Sequence, residues 1–164
     1  IAHCPSSNMR LASGIAPLLE MLDNNVRVGL GVDGSSSNDS SHMLNEARQA
    51  MLLQRVVHGA SAIGARDVLR TATRGGAEVL RRGNIGQIAP GFMADLAIYD
   101  THSIDLAGTH SDPLAALVFC GPIKTTHTII NGKLVVKDGQ LTTMDLNALL
   151  QQHRALSIDL VNSA

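Results

Sequence analysis

The sequence predicts an α/β protein: two successive β-α units of the kind that build parallel sheets, then a small β-rich unit closed by a helix. Three observations predict it. An apolar, β-branched run over residues 26–32 ends at Asp33 and passes through a polar loop into a helical pattern. After Arg82 the texture changes to short strand-like runs separated by Gly, Pro and Asn-Gly turns. The last stretch, residues 146–161, has helical spacing.

Taken in order, residues 1–4 read as the end of a buried strand and residues 5–8 as a loop. A short helix is expected over residues 17–22, with Pro17 suited to its first turn and Asn24-Asn25 ending it. The run 26–32 follows as a buried strand, then residues 33–41 as a long polar loop. The next helix, residues 42–57, places Met43, Ala47, Ala50, Met51 and Gln54 on one side, and Ser40 or Ser41 could cap it. A further helix over residues 66–80 is expected to bend at Gly75-Gly76. Residues 95–99 are strand-like. Residues 128–130 and 133–136 flank Asn131-Gly132, a strong hairpin signal, and Asp138-Gly139 supplies another turn.

Composition narrows the classes. With aromatics at 2% and no Trp, the core must be built from aliphatic residues and Met. A formal net charge of -1 gives no basic face for nucleic acid or membrane. The 2 cysteines form neither a disulfide framework nor a CxxC pattern, so a reducing cytoplasm is the expected compartment. No apolar run approaches the ~20 residues of a membrane helix. Two strands cannot bury both faces of a sheet, and Ile1 opens the chain inside a strand. The chain is therefore expected to be part of a longer protein.

Asp33 is the leading candidate for chemistry. It closes an apolar strand at the edge where α/β barrels carry catalytic groups. A carboxylate there can bind a divalent cation and accept a proton from the attacking water. Alternatively, Asp33-Gly34 is only a turn. His3 has a similar address and could bind metal, contact substrate or hydrogen-bond to backbone. The 7 histidines include no HxH or HxxxH pair, so a catalytic zinc site of three protein ligands would be incomplete. Ser37 and Asn38 could hydrogen-bond to a heterocycle or simply form a solvated loop. Cys4 lacks an activating partner other than His3, and the lone GxGxxG spacing of Gly29, Gly31 and Gly34 is too little to make a dinucleotide site.

The stretches His3-Cys4-Pro5-Ser6-Ser7-Asn8, Ser13-Gly14-Ile15-Ala16-Pro17 and Gly29-Leu30-Gly31-Val32-Asp33-Gly34, with Ser37-Asn38, resemble the last barrel segments of the amidohydrolase superfamily. The branch is that of guanine deaminase, adenosylhomocysteine deaminase and the triazine hydrolases. Residues 34–55, 112–119 and 129–132 are most similar to the 8-oxoguanine deaminase group. The resemblance implies the C-terminal portion of a metal-dependent (β/α)8 TIM barrel, its last two strands, plus part of a small β-sandwich. Residues 1–82 would belong to the barrel, 83–145 to the β-sandwich and 146–164 to a C-terminal helix. It implies that Asp33 binds one divalent metal, zinc or alternatively iron, and shuttles the proton, with most ligands in upstream sequence. His3, Ser37 and Asn38 would lie at the substrate, and Asn8 would shape its loop. The implied reaction is hydrolytic deamination of a purine-type heterocycle such as 8-oxoguanine by metal-bound hydroxide, with this piece inactive alone. The implied partners are a small heterocyclic substrate and further copies of the whole protein, with neither nucleic acid nor membrane. The alternatives are a triazine-type hydrolase, a guanine or pterin deaminase, a non-catalytic β-rich interaction module, or a nucleotide-binding α/β piece.

Overall fold

A computed structural model of the chain describes residues 1–163. By compactness it divides into two units, Ile1–Met93 with Asp100–Ile123, and residues 94–99 with those from 124 onward.

In the first unit, β1 (Ala2–His3) and β2 (Gly29–Leu30) pair in parallel, Ala2 opposite Gly29 and His3 opposite Leu30. The amides of Gly29 and Gly31 extend the ladder, donating to the carbonyls of Ile1 at 3.0 Å and His3 at 2.9 Å. The strand expected over residues 26–32 is therefore shorter, because a ladder forms only where a partner strand lies alongside. Residues 5–8, expected as loop, open a short helix instead, α1 (Pro5–Arg10). Pro5 suits its start, where an N–H would have no helical partner. α2 (Leu18–Asp23) follows and buries Leu18 completely.

The long helix α3 (Met43–His58) buries Glu46, Ala47, Ala50, Met51 and Gln54. Two expectations change here. Met43 lies on the exposed side of the helix, while Glu46 takes the buried position one turn before Ala50. His42, not a serine, is the N-cap, and it makes no side-chain cap bond. The hydroxyl of Ser40 donates to Asn38 Oδ1 at 3.3 Å instead.

The helix expected over residues 66–80 is interrupted as α4 (Ala65–Arg70), a π-helical turn (Thr71–Gly75) and α5 (Gly76–Val79). Its glycines let helix and strand meet backbone to backbone. A Cβ on Gly75 would sit 2.1 Å from the carbonyl oxygen of Val28, and one on Gly29 would sit 2.9 Å from Gly76 Cα. The core is aliphatic as expected, with Leu18, Val28, Ala47, Met51, Ile63, Val68 and Val118 in one cluster.

The second unit begins with β3 (Leu96–Ile98). The intervening residues return to the first unit and hold a helix the sequence reading did not place, α6 (Pro113–Phe119). Asp112 caps it, accepting from the Ala115 amide at 3.0 Å, and Pro113 starts it, so a start signal was present. β4 (His127–Ile130), β5 (Lys133–Lys137) and β6 (Gln140–Leu141) complete an antiparallel sheet in the order β3-β4-β5-β6. Asn131 and Gly132, with φ of 49° and 75°, form the hairpin turn. Asp145 caps α7 (Leu146–Asn162), accepting from the Asn147 and Ala148 amides at 3.0 and 3.2 Å. Among the described residues no helix is long and apolar enough to cross a membrane.

Candidate active site

Parallel pairing brings the C-terminal ends of β1 and β2 side by side, so His3 and the residues after Leu30 leave the sheet at one rim. α1 rises from the first strand end and the loop of residues 33–41 from the second. Three of the four candidate residues, Asp33, Ser37 and Asn38, lie in the second of these segments, and His3 ends β1 itself.

Asp33 adopts φ of 62°, the left-handed region that Asp tolerates better than bulky residues do. Its side chain is exposed at the rim rather than enclosed. A turn does follow it, with the Gly34 carbonyl accepting from the Ser37 and Asn38 amides at 3.1 Å each. The carboxylate nevertheless reaches back to the first strand's segment. Its Oδ2 accepts from Ser7 Oγ at 2.6 Å and from Ser37 Oγ at 3.2 Å. The two hydroxyls are themselves 2.9 Å apart. Both fall on Oδ2, so Oδ1 has no hydroxyl donor. The Ser7 hydroxyl first, then the Gly34 N–H and the Ser37 hydroxyl, hold the Asp33 carboxyl below the usual aspartate range. It is therefore an ionised acceptor at neutral pH.

His3 is buried, and its Nε2 has no hydrogen-bond partner within the chain. Burial lowers its pKa, and the nearby Glu46 charge only partly opposes that, so the ring is neutral at pH 7. Ser37 and Asn38 are also buried. Ser37 is engaged with Asp33 and Ser7. Asn38 donates through Nδ2 to Glu46 Oε1 at 2.8 Å and accepts the Ser41 amide at 3.1 Å through Oδ1. A cleft of ≈ 280 Å³ borders this loop, lined by Ser6, Arg10, Ser37, Asn38, Asp39 and Asn45. Asn8 contributes backbone, donating its amide to Cys4 and accepting that of Ser13. Cys4 does not have the chemistry of a nucleophile. Burial, then the Asp33 and Glu46 charges, push its thiol pKa up, opposite to what an activated thiol needs.

Two residues of this network escaped the sequence reading. Ser7 lay in a segment taken for loop, and the short helix there is what aims its hydroxyl at Asp33. Glu46 had a legible signal: it falls between Met43 and Ala50 at spacings of three and four, within the apolar stripe of its helix. A larger cavity of ≈ 660 Å³, lined by Arg27, Arg74, Arg81, Arg82 and Phe92 among others, lies by the residues preceding β2, whereas Asp33 follows that strand.

A catalytic zinc site takes about three protein ligands and an open position. Among the described residues no group of three or more His, Cys, Asp and Glu could hold a metal. Asp33 fits as one anchor of such a site, being ionised, exposed and with both serine hydroxyls on Oδ2.

Residues 1–135 match the amidohydrolase family. The chain is 47% identical over 161 residues to 8-oxoguanine deaminase of Pseudomonas aeruginosa, covering 98% of this chain and 36% of that protein. It is 40% identical to a 5-methylthioadenosine/S-adenosylhomocysteine deaminase of Pyrococcus abyssi, covering 96% of this chain and 37% of that protein. Among solved structures, an adenosine deaminase from Xanthomonas campestris with bound zinc superposes with a TM-score of 0.91 at 34% identity, covering 99% and 37% of the two chains. Atrazine chlorohydrolase from Arthrobacter aurescens, complexed with zinc, gives 0.89 at 34% identity, covering 95% and 35%. The chain thus spans little more than a third of the length of the relatives it matches.

Proposed function

This chain belongs to the amidohydrolase family, and from that premise we propose that it carries the metal-binding aspartate of a hydrolytic deaminase acting on a purine-type heterocycle, 8-oxoguanine first. In fold it is the final portion of a (β/α)8 barrel with part of a β-sandwich. We assign residues 1–82 to the barrel, 83–145 to the sandwich and 146–164 to a C-terminal helix, although by compactness Asp100–Ile123 groups with the first unit.

One observation carries the reading. The Asp33 carboxylate, three residues beyond β2, ionised and with two hydroxyls on Oδ2, stands at the rim where both parallel strands end. The metal would be zinc, since two solved relatives hold zinc. When bound, it supplies Lewis acidity that makes water ionisable near neutral pH. The chain's own residues do the rest. Asp33 would hold the cation, while the Ser7 and Ser37 hydroxyls on Oδ2 keep the carboxylate from swinging away. The Asp33 carboxylate takes the proton of the attacking water and returns it to the departing amine, so that ammonia leaves and a carbonyl remains. His3, neutral and buried beside the rim, lies under the pocket with Nε2 unengaged within the chain. Ser37 and Asn38 shape the pocket wall; their side chains are already engaged at Asp33 and Glu46.

A second reading is a triazine-type hydrolase, favoured by the likeness to the atrazine chlorohydrolase structure. Assaying the intact protein against 8-oxoguanine, guanine, adenosine, 5-methylthioadenosine and a chlorotriazine separates the two. Release of ammonia from 8-oxoguanine is expected to be fastest. Chloride release from the triazine, with no purine turned over, would replace the deaminase reading. Asp33→Asn is expected to lower kcat by roughly 10²–10⁴-fold, the range of a lost acid–base group. Normal turnover and full zinc content in that variant would remove Asp33 from the mechanism.

A further inference from the structure

We propose that Glu46 is a positioning residue for Asp33, a buried carboxylate that locks together the segments following β1 and β2 and so fixes both hydroxyls that hold the Asp33 side chain. The proposal rests on the reading of Asp33 as a metal ligand.

The hydrogen bonds form two layers. In the upper layer, Ser7 Oγ and Ser37 Oγ donate to Asp33 Oδ2 at 2.6 and 3.2 Å. In the lower layer, the immediate chain neighbours of those two serines both donate to Glu46. The Ser6 amide reaches Oε2 at 3.0 Å, and Asn38 Nδ2 reaches Oε1 at 2.8 Å. Each oxygen of Glu46 thus holds one of the two segments, and each segment presents an adjacent serine to Asp33. No backbone ladder joins α1 to the loop of residues 33–41 directly; the buried links between them are the Glu46 carboxylate and the Ser7 hydroxyl, with the exposed Arg10–Asp39 ion pair outside.

The base of this device is rigid. Glu46 lies in the first turn of α3, and the same helix packs Ala47, Ala50 and Met51 into the core. Glu46 itself has no exposed surface. Burying a carboxylate is costly unless its oxygens are satisfied, and an apolar residue of similar size would often serve stability as well or better. What an apolar residue cannot do is accept two donors from two segments at a set spacing, through charge-assisted bonds. Outer partners of metal ligands set ligand orientation, and their loss weakens metal binding or activity roughly 10–100-fold. Glu46 stands one bond further out and acts on both outer partners at once.

The test measures zinc affinity of the intact protein by chelator competition, with circular dichroism confirming the fold. Glu46→Gln keeps the shape but turns one acceptor into a donor that faces a donor. Its zinc dissociation constant is expected to rise roughly 10–100-fold. Gln54→Met removes another buried polar group from the same helix, one that donates to the Ala16 carbonyl at 2.9 Å. It is expected to lower stability and leave zinc affinity unchanged. The double variant Asn38→Asp/Glu46→Gln exchanges donor and acceptor, satisfies the Ser6 amide again, and is expected to recover most of the affinity even if Glu46→Gln alone fails to fold. The proposal is overturned if folded Glu46→Gln binds zinc as tightly as wild type, if Gln54→Met weakens zinc equally, or if the folded double variant shows no recovery. Asp33→Ala separates the two layers of inference. Undiminished zinc affinity there sinks the reading of Asp33. Lost affinity there, with none lost in Glu46→Gln, sinks only the role of Glu46.

Discussion

The two compact units keep their shapes by different means, and their glycines show how. In the α/β unit, Gly75 is needed for space: the Val28 carbonyl occupies the place a Cβ would take. In the β unit, Gly132 has open space around it but sits at φ of 75° in the β4–β5 turn. The first unit fixes its geometry by burial, with Leu18, Ala47, Ala50, Met51 and Val68 fully inside. In the second unit no described residue is buried, and α7 buries nothing. Its register is set by turns and by cross-strand bonds. The candidate active site lies in the first unit, where packing can hold side chains to a fraction of an ångström.

The sharpest way to break this contrast is to remove bulk from each unit. Met51→Ala should destabilise the first unit by about 2–5 kcal/mol, the range for deleting a buried side chain. Leu156→Ala in α7, where Leu156 is 69% exposed, should change stability by no more than about 0.5 kcal/mol. Hydrogen exchange, read separately for amides of α3 and α7, checks both. Equal losses would mean that α7 is held by burial after all.

Glycine substitution sharpens the contrast next. Gly75→Ala must push the helix off β2 and should cost about 3 kcal/mol, at the upper end for overpacking, because the obstacle is backbone and cannot rotate away. The Asp33 rim would shift with it, so zinc affinity should also fall. Gly132→Ala meets no atom and should cost only about 1–2 kcal/mol, the penalty for a Cβ in the left-handed region. Exchange protection across β4 and β5 would report the loss. A larger effect at Gly132 than at Gly75 would contradict the distinction between space and φ.

The same contrast explains what could be read in advance. The β4–β5 hairpin appeared where Asn131-Gly132 placed it, because turn chemistry is local and two residues suffice. The interruption of the helix at Gly75-Gly76 was legible, but its cause was not, since Val28 is far away in sequence. The strand over residues 26–32 was overestimated because apolar periodicity marks burial, while a ladder requires a partner. Asp33 was singled out by its expected address at a strand end, and it lies three residues beyond the end of β2. Ser7 was hidden because residues 5–8 have loop composition and become helix only beside a sheet. The position of Glu46 on the apolar stripe was legible, but its role was not, because its donors, Ser6 and Asn38, are brought to it only by tertiary structure.

The smallest expected effect is electrostatic and tests whether the surface of the first unit adds to what burial supplies. Arg66 donates to both oxygens of Asp112, at 2.8 and 3.1 Å, while Asp112 Oδ1 also caps α6 through the Ala115 amide. The guanidinium first, then the helix amides, hold the Asp112 carboxyl below its ordinary value of 3.8. A depressed folded pKa stabilises fully above the ordinary value and is lost as pH falls through the folded one. Asp112→Asn retains an acceptor for the cap but loses the ion pair. Wild type should therefore exceed the variant in α6 exchange protection at about pH 7, and the gap should close as pH falls through the depressed folded pKa of Asp112. Added salt should narrow the gap too, because both side chains are substantially exposed and screened. A gap that persists in acid would assign the difference to the cap rather than to the charge, and no gap at neutral pH would leave the unit held by burial alone.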